Sequence, residues 1–406
     1  MQTSDVVIIG AGLSGLRAAQ LLGQRGWHVI VLDRHAEVGG RLASRNVDGY
    51  VIDEGFQLVN PSYPELRATK VLETVELRPF EASLLTLTNG RRQLFSDPRA
   101  SLRGALSPFV RGGLSFSDAR RLGSLGFRCG FAPIRGILRR PDESTWEGFA
   151  HTGISPRAMN DVVRPFLRGT LLDDQLESSW HFTQLVLRSF VRGRPGTFAD
   201  GVVALPRAMA RQLDSTVLKL DEEVISVTPT RVVTNRDEYE SRAVVLATDA
   251  TDAARLGTDT TVAWRAQTTW WIAAPKIVAS PILHIDLDEP LLTSVLDVSA
   301  VARERAPTNA SLVAAPAVGA LHERSLDARV LESVARTYDV ATSELSIIER
   351  TVVERALPAT PPPLRLNRPQ RRGEIFLAGD YLQTPSIQGA LVSGRRAAQA
   401  ILAALT

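Results

Sequence analysis

The sequence predicts an α/β protein in which a parallel sheet with helices on both faces is interleaved with a second, α+β domain. Three observations carry this prediction: a strand, glycine turn and helix near the amino terminus, a second strand that ends at an acid, and a strand with a Gly-Asp turn near the carboxyl terminus. A chain of 406 residues can bury two apolar interiors. Because the signals lie at both ends of the chain, the first domain must be discontinuous.

The first element is a β-branched run at residues 6–9, followed by three glycines and an apolar-periodic helix. Gly10 permits a tight turn, Gly12 lets the backbone approach a pyrophosphate, and Gly15 allows close packing of the helix. The amino terminus of that helix stabilises an anion. A strand, glycine turn and helix in this order are typical of a Rossmann-like dinucleotide site.

The second strand, at residues 27–32, ends at Asp33, at the spacing where an acid accepts a hydrogen bond from a ribose hydroxyl. NAD and FAD both satisfy a βαβ unit of this kind. Gly39 and Gly40 supply a second loop of backbone donors, and Arg41 adds a fixed positive charge. This second loop favours the longer, flavin-bearing dinucleotide, so the sequence predicts FAD.

The carboxyl-terminal element is a strand that ends in Gly379 and Asp380, followed by a helix that starts near Gln388 and Gly389. In the middle of the chain, a short helix precedes a strand that contains Val224. If one FAD contacts all three parts, the two ends of the chain must meet in space.

These motifs resemble the amine oxidase, phytoene desaturase and protoporphyrinogen oxidase superfamily of flavoproteins. The resemblance implies a Rossmann-like FAD-binding domain of the GR2 type, with FAD held non-covalently, and an interleaved α+β substrate-binding domain. The domains expected on this basis are the FAD-binding domain at 1–75, 195–255 and 345–406, and the substrate-binding domain at 76–194 and 256–344.

The resemblance also implies which residues hold FAD. Residues 51–57 pass near the flavin ring, Val224 meets the adenine through its backbone, and Asp380 accepts from the ribityl chain. The last helix points its free N–H groups at the pyrimidine edge of the flavin. The cofactor-binding residues expected are Gly10, Gly12, Leu13, Ser14, Gly15, Asp33, Arg34, Gly39, Gly40, Arg41, Leu42, Gly55, Phe56, Gln57, Val224, Gly379, Asp380, Gln388, Gly389 and Ala390.

Composition indicates a globular protein, with 44% apolar and 22% charged residues. No apolar run reaches the roughly 18 residues that a membrane span requires. Residues 1–5 lack the basic region of a signal peptide, so we expect a cytoplasmic protein. The single cysteine, Cys129, and six scattered histidines predict no disulfide and no metal site.

One segment, residues 99–140, is strongly basic: it holds nine arginines against a single acid, Asp118, and interleaves them with leucine, isoleucine and phenylalanine. Two interpretations stay open, peripheral contact with an anionic membrane surface and a solvated helix face with a core stripe. No segment resembles a nucleic-acid-reading module, so we expect no nucleic-acid partner.

Departures from the amine oxidase pattern bear on the reaction. Those enzymes cage the substrate nitrogen between two aromatic rings, and the corresponding places fall near Gln383 and Ser386. A cage would therefore require Tyr381 or a ring from the substrate domain. Those enzymes also often place a lysine near flavin N5. Lys276 is the one candidate for this catalytic residue, and the alternative interpretation is that Lys276 is a solvated lysine in a turn. Residues 345–380 contain no cysteine, so no cysteinyl bond to the flavin can form from that region.

We therefore expect a desaturase-like or dehydrogenase-like enzyme that transfers a hydride from an apolar small-molecule substrate (isoprenoid, carotenoid or porphyrin-like) to flavin N5, with oxygen or a quinone as electron acceptor. Three alternatives stay open: an oxygen-using amine oxidase, a flavin-dependent isomerase without net redox change, and an FAD-free module that chaperones lipids. The sequence does not decide between a monomer and a homodimer.

Overall fold

The computed structural model describes residues 1–96, 114–213, 216–276 and 281–405. In chain order, the strands are β1 (Gln2–Ile9), β2 (Val29–Leu32), β3 (Ser44–Val47), β4 (Tyr50–Asp53), β5 (Arg78–Pro79), β6 (Ser83–Thr88), β7 (Arg91–Ser96), β8 (Gly196–Thr197), β9 (Thr216–Lys219), β10 (Val224–Val227), β11 (Arg231–Thr234), β12 (Glu238–Leu246), β13 (Trp264–Pro275), β14 (Leu283–Asp286), β15 (Leu296–Asp297), β16 (Ala310–Val318), β17 (Ser346–Pro358), β18 (Arg371–Arg372) and β19 (Ile375–Leu377). The helices are α1 (Leu13–Gly23), α2 (Pro64–Ala68), α3 (Phe116–Phe131), α4 (Ile134–Leu138), α5 (Thr145–Ala150), α6 (Pro156–Ala158), α7 (Arg164–Leu171), α8 (Trp180–Arg192), α9 (Ala204–Arg211), α10 (Ala250–Arg255), α11 (Leu326–Tyr338) and α12 (Ile387–Leu405).

The largest sheet has eight strands in the order β10-β11-β12-β1-β2-β9, and β19 and β18 continue from the end of β12. Strands β1, β2, β9, β12 and β19 are parallel, whereas β10 and β11 add an antiparallel hairpin. The apolar runs of β1 and β2 are buried on both faces, as the interior of a parallel sheet requires. Helices α1 and α12 pack together on one face, and α10 lies against the other. This arrangement confirms the predicted α/β fold.

This sheet collects strands from three separate parts of the chain, as a discontinuous domain requires. Strand β17 lies inside the range 345–406 that the sequence assigns to the same domain. It pairs along its length with β13 of a second sheet instead. Strand β17 is therefore part of the second sheet, and the expected domain boundaries stay predictions.

The second sheet is antiparallel, in the order β15-β16-β13-β17. Its central strand β13 carries Trp270 and Trp271, which point to opposite faces and are both fully buried. The Trp270 indole donates to Asp327 of α11 at 2.7 Å, whereas Trp271 belongs to the same apolar cluster as Ile52 of the first domain. The sheet is thus covered on both faces: α11 packs on the Trp270 face, and the Trp271 face packs against the first domain.

Helices α3 to α8 and a small sheet, β14-β6-β7, complete the α+β part. Leu125 and Cys129 of α3 share an apolar cluster with Phe149 of α5 and Phe182 of α8. Within the described residues, no helix has the combination of length and apolarity that crossing a bilayer demands.

A buried ion pair joins the two parts. Arg305 Nη2 donates to Asp53 Oδ2 at 2.9 Å, and the two side chains are 1% and 2% exposed. Arg305 Nε donates to the Val51 carbonyl at 2.9 Å, and the guanidinium lies 5.5 Å from the Trp271 ring centre. Asp53 Oδ1 also accepts from the Val202 amide at 3.0 Å. The pair thus ties β4 to the segment that precedes β16 of the second sheet.

Candidate functional site

The glycine turn after β1 forms an open cradle at the start of α1. Gly10 has a φ of 110°, and a side chain there would lie 2.7 Å from the Ala247 carbonyl oxygen. A Cβ at Gly15 would lie 1.9 Å from the Gly10 carbonyl oxygen. A Cβ at Gly12 would have no neighbour closer than 4.0 Å, the Gly39 carbonyl oxygen. Because no side chain caps α1, its first-turn amides are available to an anion at Gly12.

Asp33 stands beside this cradle at the end of β2. Its Oδ2 accepts from the Ala11 amide at 2.7 Å, and its Oδ1 accepts from the His35 amide at 2.9 Å. These bonds hold the carboxylate at the wall of a cavity that the cradle also lines. The carboxylate is placed to accept a further hydrogen bond from a ligand.

Arg41 joins the two ends of the chain. Its Nη2 donates to Asp380 Oδ1 at 2.7 Å, and its Nη1 donates to the Ala356 carbonyl at 2.8 Å. The guanidinium lies 5.8 Å from the centre of the Trp264 ring. Burial lowers the pKa of Arg41, but Asp380 and Asp249 outweigh that effect, so the pKa is raised above its ordinary value. Arg41 therefore supplies a permanent positive charge to the cavity.

The amino terminus of α12 closes the same cavity. Ser386 Oγ accepts from the Gly389 amide at 3.1 Å, and Gln388 Oε1 accepts from the Glu65 amide at 3.0 Å. A Cβ at Gly389 would lie 1.9 Å from the Thr384 carbonyl oxygen. These contacts seat the helix so that Ser386 and Ala390 face the cavity.

The structure brings most of the predicted cofactor residues to one cavity. Those that line it are Gly10, Gly12, Leu13, Ser14, Asp33, Arg34, Gly39, Gly40, Arg41, Leu42, Phe56, Gln57, Val224, Gly379, Asp380 and Ala390. Gly15, Gly55, Gln388 and Gly389 are not among the described lining residues, and they pack or hydrogen-bond behind the wall. Lys276 is exposed just beyond the end of β13 and does not belong to the described cavity wall.

Sequence reasoning missed Gln267. This residue is 7% exposed and lines the cavity from β13. A side chain at Gly55 would lie 2.9 Å from Gln267 Oε1, and Thr269, two residues along the strand, accepts from the Phe56 amide at 3.3 Å. The signal was the polar stretch in the first half of β13, where Gln267 and Thr269 stand at alternate positions ahead of an apolar second half.

The cavity has a volume of about 1130 Å³, above the roughly 300–1,000 Å³ of ordinary ligand pockets. It therefore has room for a dinucleotide and a second molecule. Its far part, which we call the helical chamber, lies among α3, α5, α7 and α8. The side chains that line the helical chamber are mainly Leu122, Leu125, Phe149, Val163, Phe166, Leu167, Phe182, Val186, Leu187 and Phe190. Within the described part of these helices, no acidic side chain faces the chamber.

The aromatic residues near the cavity do not form a slot at the places expected for an amine cage. Tyr381 is 3% exposed and packs in the core beneath the large sheet, and it is not among the described lining residues. Gln383 and Ser386 are not aromatic. Phe166 and Phe190 both line the chamber, but their rings touch edge to face with centres 5.1 Å apart, so no substrate group fits between them.

Two weakly acidic side chains stay neutral at physiological pH. Burial raises the pKa of Tyr63, which lines the cavity, to about 12. Burial also raises the pKa of Cys129 to about 11, although Arg128 and Arg188 oppose the rise. Cys129, the single cysteine of the chain, packs in the apolar cluster of α3, α5, α7 and α8 and is not among the described residues of the cavity wall.

Residues 13–402 match the family model of flavin-containing amine oxidoreductases. The chain belongs to this family. It is thus an FAD-dependent oxidoreductase, and the predicted superfamily and cofactor are confirmed.

Curated relatives of this chain match over short stretches. A 4,4'-diapophytoene desaturase from Methylomonas sp is 47% identical over 85 residues, which are 19% of this chain and 17% of the relative. A putrescine oxidase from Kocuria rosea is 45% identical over 64 residues, 16% of this chain and 13% of the relative. The matches therefore span less than a fifth of these two relatives.

Solved structures match over nearly the whole chain. A putative protoporphyrinogen oxidase from an Exiguobacterium species has a TM-score of 0.72 at 16% identity and covers 98% of both chains. A cyclohexylamine oxidase from Brevibacterium oxydans has a TM-score of 0.67 at 17% identity and covers 99% of both. At such identities the comparison shows that this chain shares the fold of these proteins.

Proposed function

We propose that this enzyme oxidises a neutral, apolar substrate of isoprenoid, carotenoid or porphyrin-like type by transferring a hydride from a substrate carbon to N5 of FAD. The observation that carries the proposal is the wall of the helical chamber, which is apolar and aromatic and has no acidic side chain among its described helical residues. A cationic amine would lose its hydration there without gaining a partner. A hydrocarbon gives up no hydrogen bonds to water when it enters the chamber.

The cavity wall supports FAD as the occupant of the nucleotide part. The space at Gly12 and the uncapped start of α1 suit a pyrophosphate, and the Arg41 charge complements it. Asp33 has a carboxylate oriented for a ribose hydroxyl. We assign Val224 to the adenine, Asp380 to the ribityl chain, and the other predicted residues that line the cavity to the remaining contacts.

Bound FAD would supply a ring that takes up two electrons as a hydride at N5. The substrate would lose that hydride from one carbon and a proton, to a nearby water, from the neighbouring carbon, so that a C=C bond forms. Oxygen or a quinone would be the final acceptor of the two electrons. The chain orients the reacting C–H bond through the apolar chamber and excludes bulk water from it. The start of α12 places its positive dipole end at the cavity, where it stabilises negative charge.

Gln267 replaces the expected lysine in this proposal. Its amide is the polar group that β13 presents beside Gly55, next to the segment assigned to the flavin ring. An amide can position a water or a substrate without carrying charge, which suits a neutral substrate. Lys276 has no role in the proposed reaction because it is exposed outside the described cavity wall.

A charge placed in the helical chamber tests the proposal. Leu187→Glu puts a carboxylate among the apolar lining residues, and Val217→Glu is the control because Val217 is 38% exposed on β9 of the other domain. Both purified proteins should retain FAD. Under anaerobic conditions, an isoprenoid-rich lipid extract should bleach the flavin of the wild type and the control, and should fail to bleach Leu187→Glu.

Two results would contradict the proposal. Bleaching of Leu187→Glu at the wild-type rate would show that the substrate does not use the chamber. An unchanged wild-type flavin spectrum together with a rearranged product would show isomerisation without net oxidation.

A further inference from the structure

We infer that the outer surface of α3 and α4 docks the enzyme onto an anionic phospholipid bilayer. Large apolar side chains face solvent where α3 ends and α4 begins: Phe127 is 66% exposed, Phe131 is 61% exposed and Ile134 is 43% exposed. The Phe127 and Phe131 rings lie one helical turn apart, with centres 4.9 Å from each other. They form a contiguous apolar patch, a feature that marks interaction sites on soluble proteins.

The same surface is positively charged. Arg120, Arg128, Arg135, Arg139 and Arg140 are all exposed, and none of them forms an ion pair with another described residue. Asp118, the single acid of the described stretch 114–140, is buried. Its carboxylate is bonded internally, to the hydroxyls of two serines at 2.7 and 2.8 Å. The outward charge of the patch is therefore that of arginine alone.

Helix α3 separates this surface from the helical chamber. Arg120, Phe127 and Phe131 lie on its solvent side, whereas Leu122 and Leu125 on the opposite side line the chamber. The chamber thus lies one helix thickness beneath the patch. The rest of the basic segment, residues 99–113, lies outside the described residues.

An anionic bilayer is the occupant that this combination favours. Aromatic rings and isoleucine can enter the interfacial region, while arginines on the same face reach the headgroup phosphates. The patch combines apolar and cationic side chains and has no exposed acid among residues 114–140. This combination suits an anionic bilayer, which offers hydrocarbon and negative charge side by side. Lipid docking stands without the proposed function, but its use in delivering an apolar substrate to the chamber rests on that function.

Vesicle cosedimentation of the FAD-loaded protein tests this inference. We expect binding to phosphatidylcholine vesicles that contain phosphatidylglycerol, binding that weakens as salt is raised, and much weaker binding to phosphatidylcholine alone. Phe127→Ser/Phe131→Ser should lower the partition coefficient by about tenfold or more. Arg135→Gln/Arg139→Gln should lower it by about fivefold for each arginine removed.

Matched controls come from other exposed positions. Ile225→Ser removes a side chain that is 61% exposed on β10, and Arg25→Gln/Arg324→Gln removes two exposed arginines elsewhere. Both controls should bind vesicles like the wild type. Equal vesicle binding by the patch variants and the controls would overturn the inference, and so would the absence of wild-type binding to anionic vesicles. Burial of the patch by self-association of the protein in solution would overturn it as well. Since no turnover is measured, these outcomes are independent of the bleaching experiment with Leu187→Glu.

Discussion

Replacing Arg41 by alanine should weaken FAD binding without unfolding the protein. The Arg41 guanidinium is a permanent cation at the nucleotide part of the cavity, and its side chain is 31% exposed. A hydrogen bond to a charged group contributes about 1.5–3 kcal/mol. Partial exposure places Arg41 at the lower end of that range, so the Kd for FAD should rise by about tenfold to thirtyfold.

The same substitution should cost some stability for a different reason. Asp380 is 4% exposed, and Arg41→Ala leaves its carboxylate without the cation 2.7 Å away. An unsatisfied buried group costs about 1–3 kcal/mol. Adding Asp380→Asn removes the orphaned charge, so the double variant should regain most of the lost stability while its FAD affinity stays low.

Fluorescence titration of the FAD-free protein with FAD measures the affinity, and urea unfolding measures the stability. Arg242→Ala is the control, because Arg242 is a 53% exposed arginine that pairs with Asp5 away from the cavity. Full flavin occupancy and an unchanged Kd in Arg41→Ala would refute the assignment of Arg41 to the cofactor.

Three further perturbations have distinct expected outcomes. Gly12→Ala should fold with nearly wild-type stability but lose FAD, whereas Gly15→Ala should be destabilised by about 3 kcal/mol, because its Cβ would lie 1.9 Å from a carbonyl oxygen. Arg305→Met should lower the free energy of unfolding by about 3–5 kcal/mol, because it leaves the Asp53 carboxylate buried without its cation. Burial, assisted by a nearby arginine, lowers the pKa of His284 to about 4. Below its ordinary value of 6.5 the unfolded chain binds a proton that the folded protein does not. Stability should therefore fall by about 3 kcal/mol in total as the pH drops from 6.5 to 4.

Controls separate these effects from general damage. Retained FAD in Gly12→Ala, or a fully stable Gly15→Ala, would contradict the geometry of the glycine turn. Asp53→Asn in the Arg305→Met background should restore part of the stability, and no recovery would argue against an orphaned charge. His284→Gln should lose the part of the acid dependence that comes from the imidazole, and an unchanged pH profile would refute its assignment.

The nucleotide part of the fold was predictable from sequence because its signals are local. The strand, glycine turn, helix and second strand lie within the first 33 residues. Gly10, with a φ of 110°, and Gly15, where a Cβ would lie 1.9 Å from the Gly10 carbonyl oxygen, each meet a backbone requirement that the structure shows. Parallel strands bring their carboxyl ends to one edge, so Asp33 and Asp380 could be expected near the same ligand.

The rest depended on contacts between distant parts of the chain. The pair of Arg41 with Asp380 spans 339 positions, and the pairing of β17 with β13 places residues 346–358 in the second sheet. No local pattern encodes either. Tyr381 was a candidate for the cavity, but the turn after Gly379 directs its ring into the core beneath the sheet. Gln267 was missed because the sequence does not show that this polar residue of β13 lies beside Gly55 and the cavity.

The anaerobic visible spectrum of the purified wild-type enzyme, recorded with an isoprenoid-rich lipid extract and separately with primary amines, tests both the apolar substrate and the FAD site. We expect a flavin spectrum that the lipid extract bleaches and the amines leave unchanged, with FAD released on denaturation. Bleaching by amines alone would contradict the apolar substrate, and a protein that holds no flavin and takes up none would contradict the cofactor site itself.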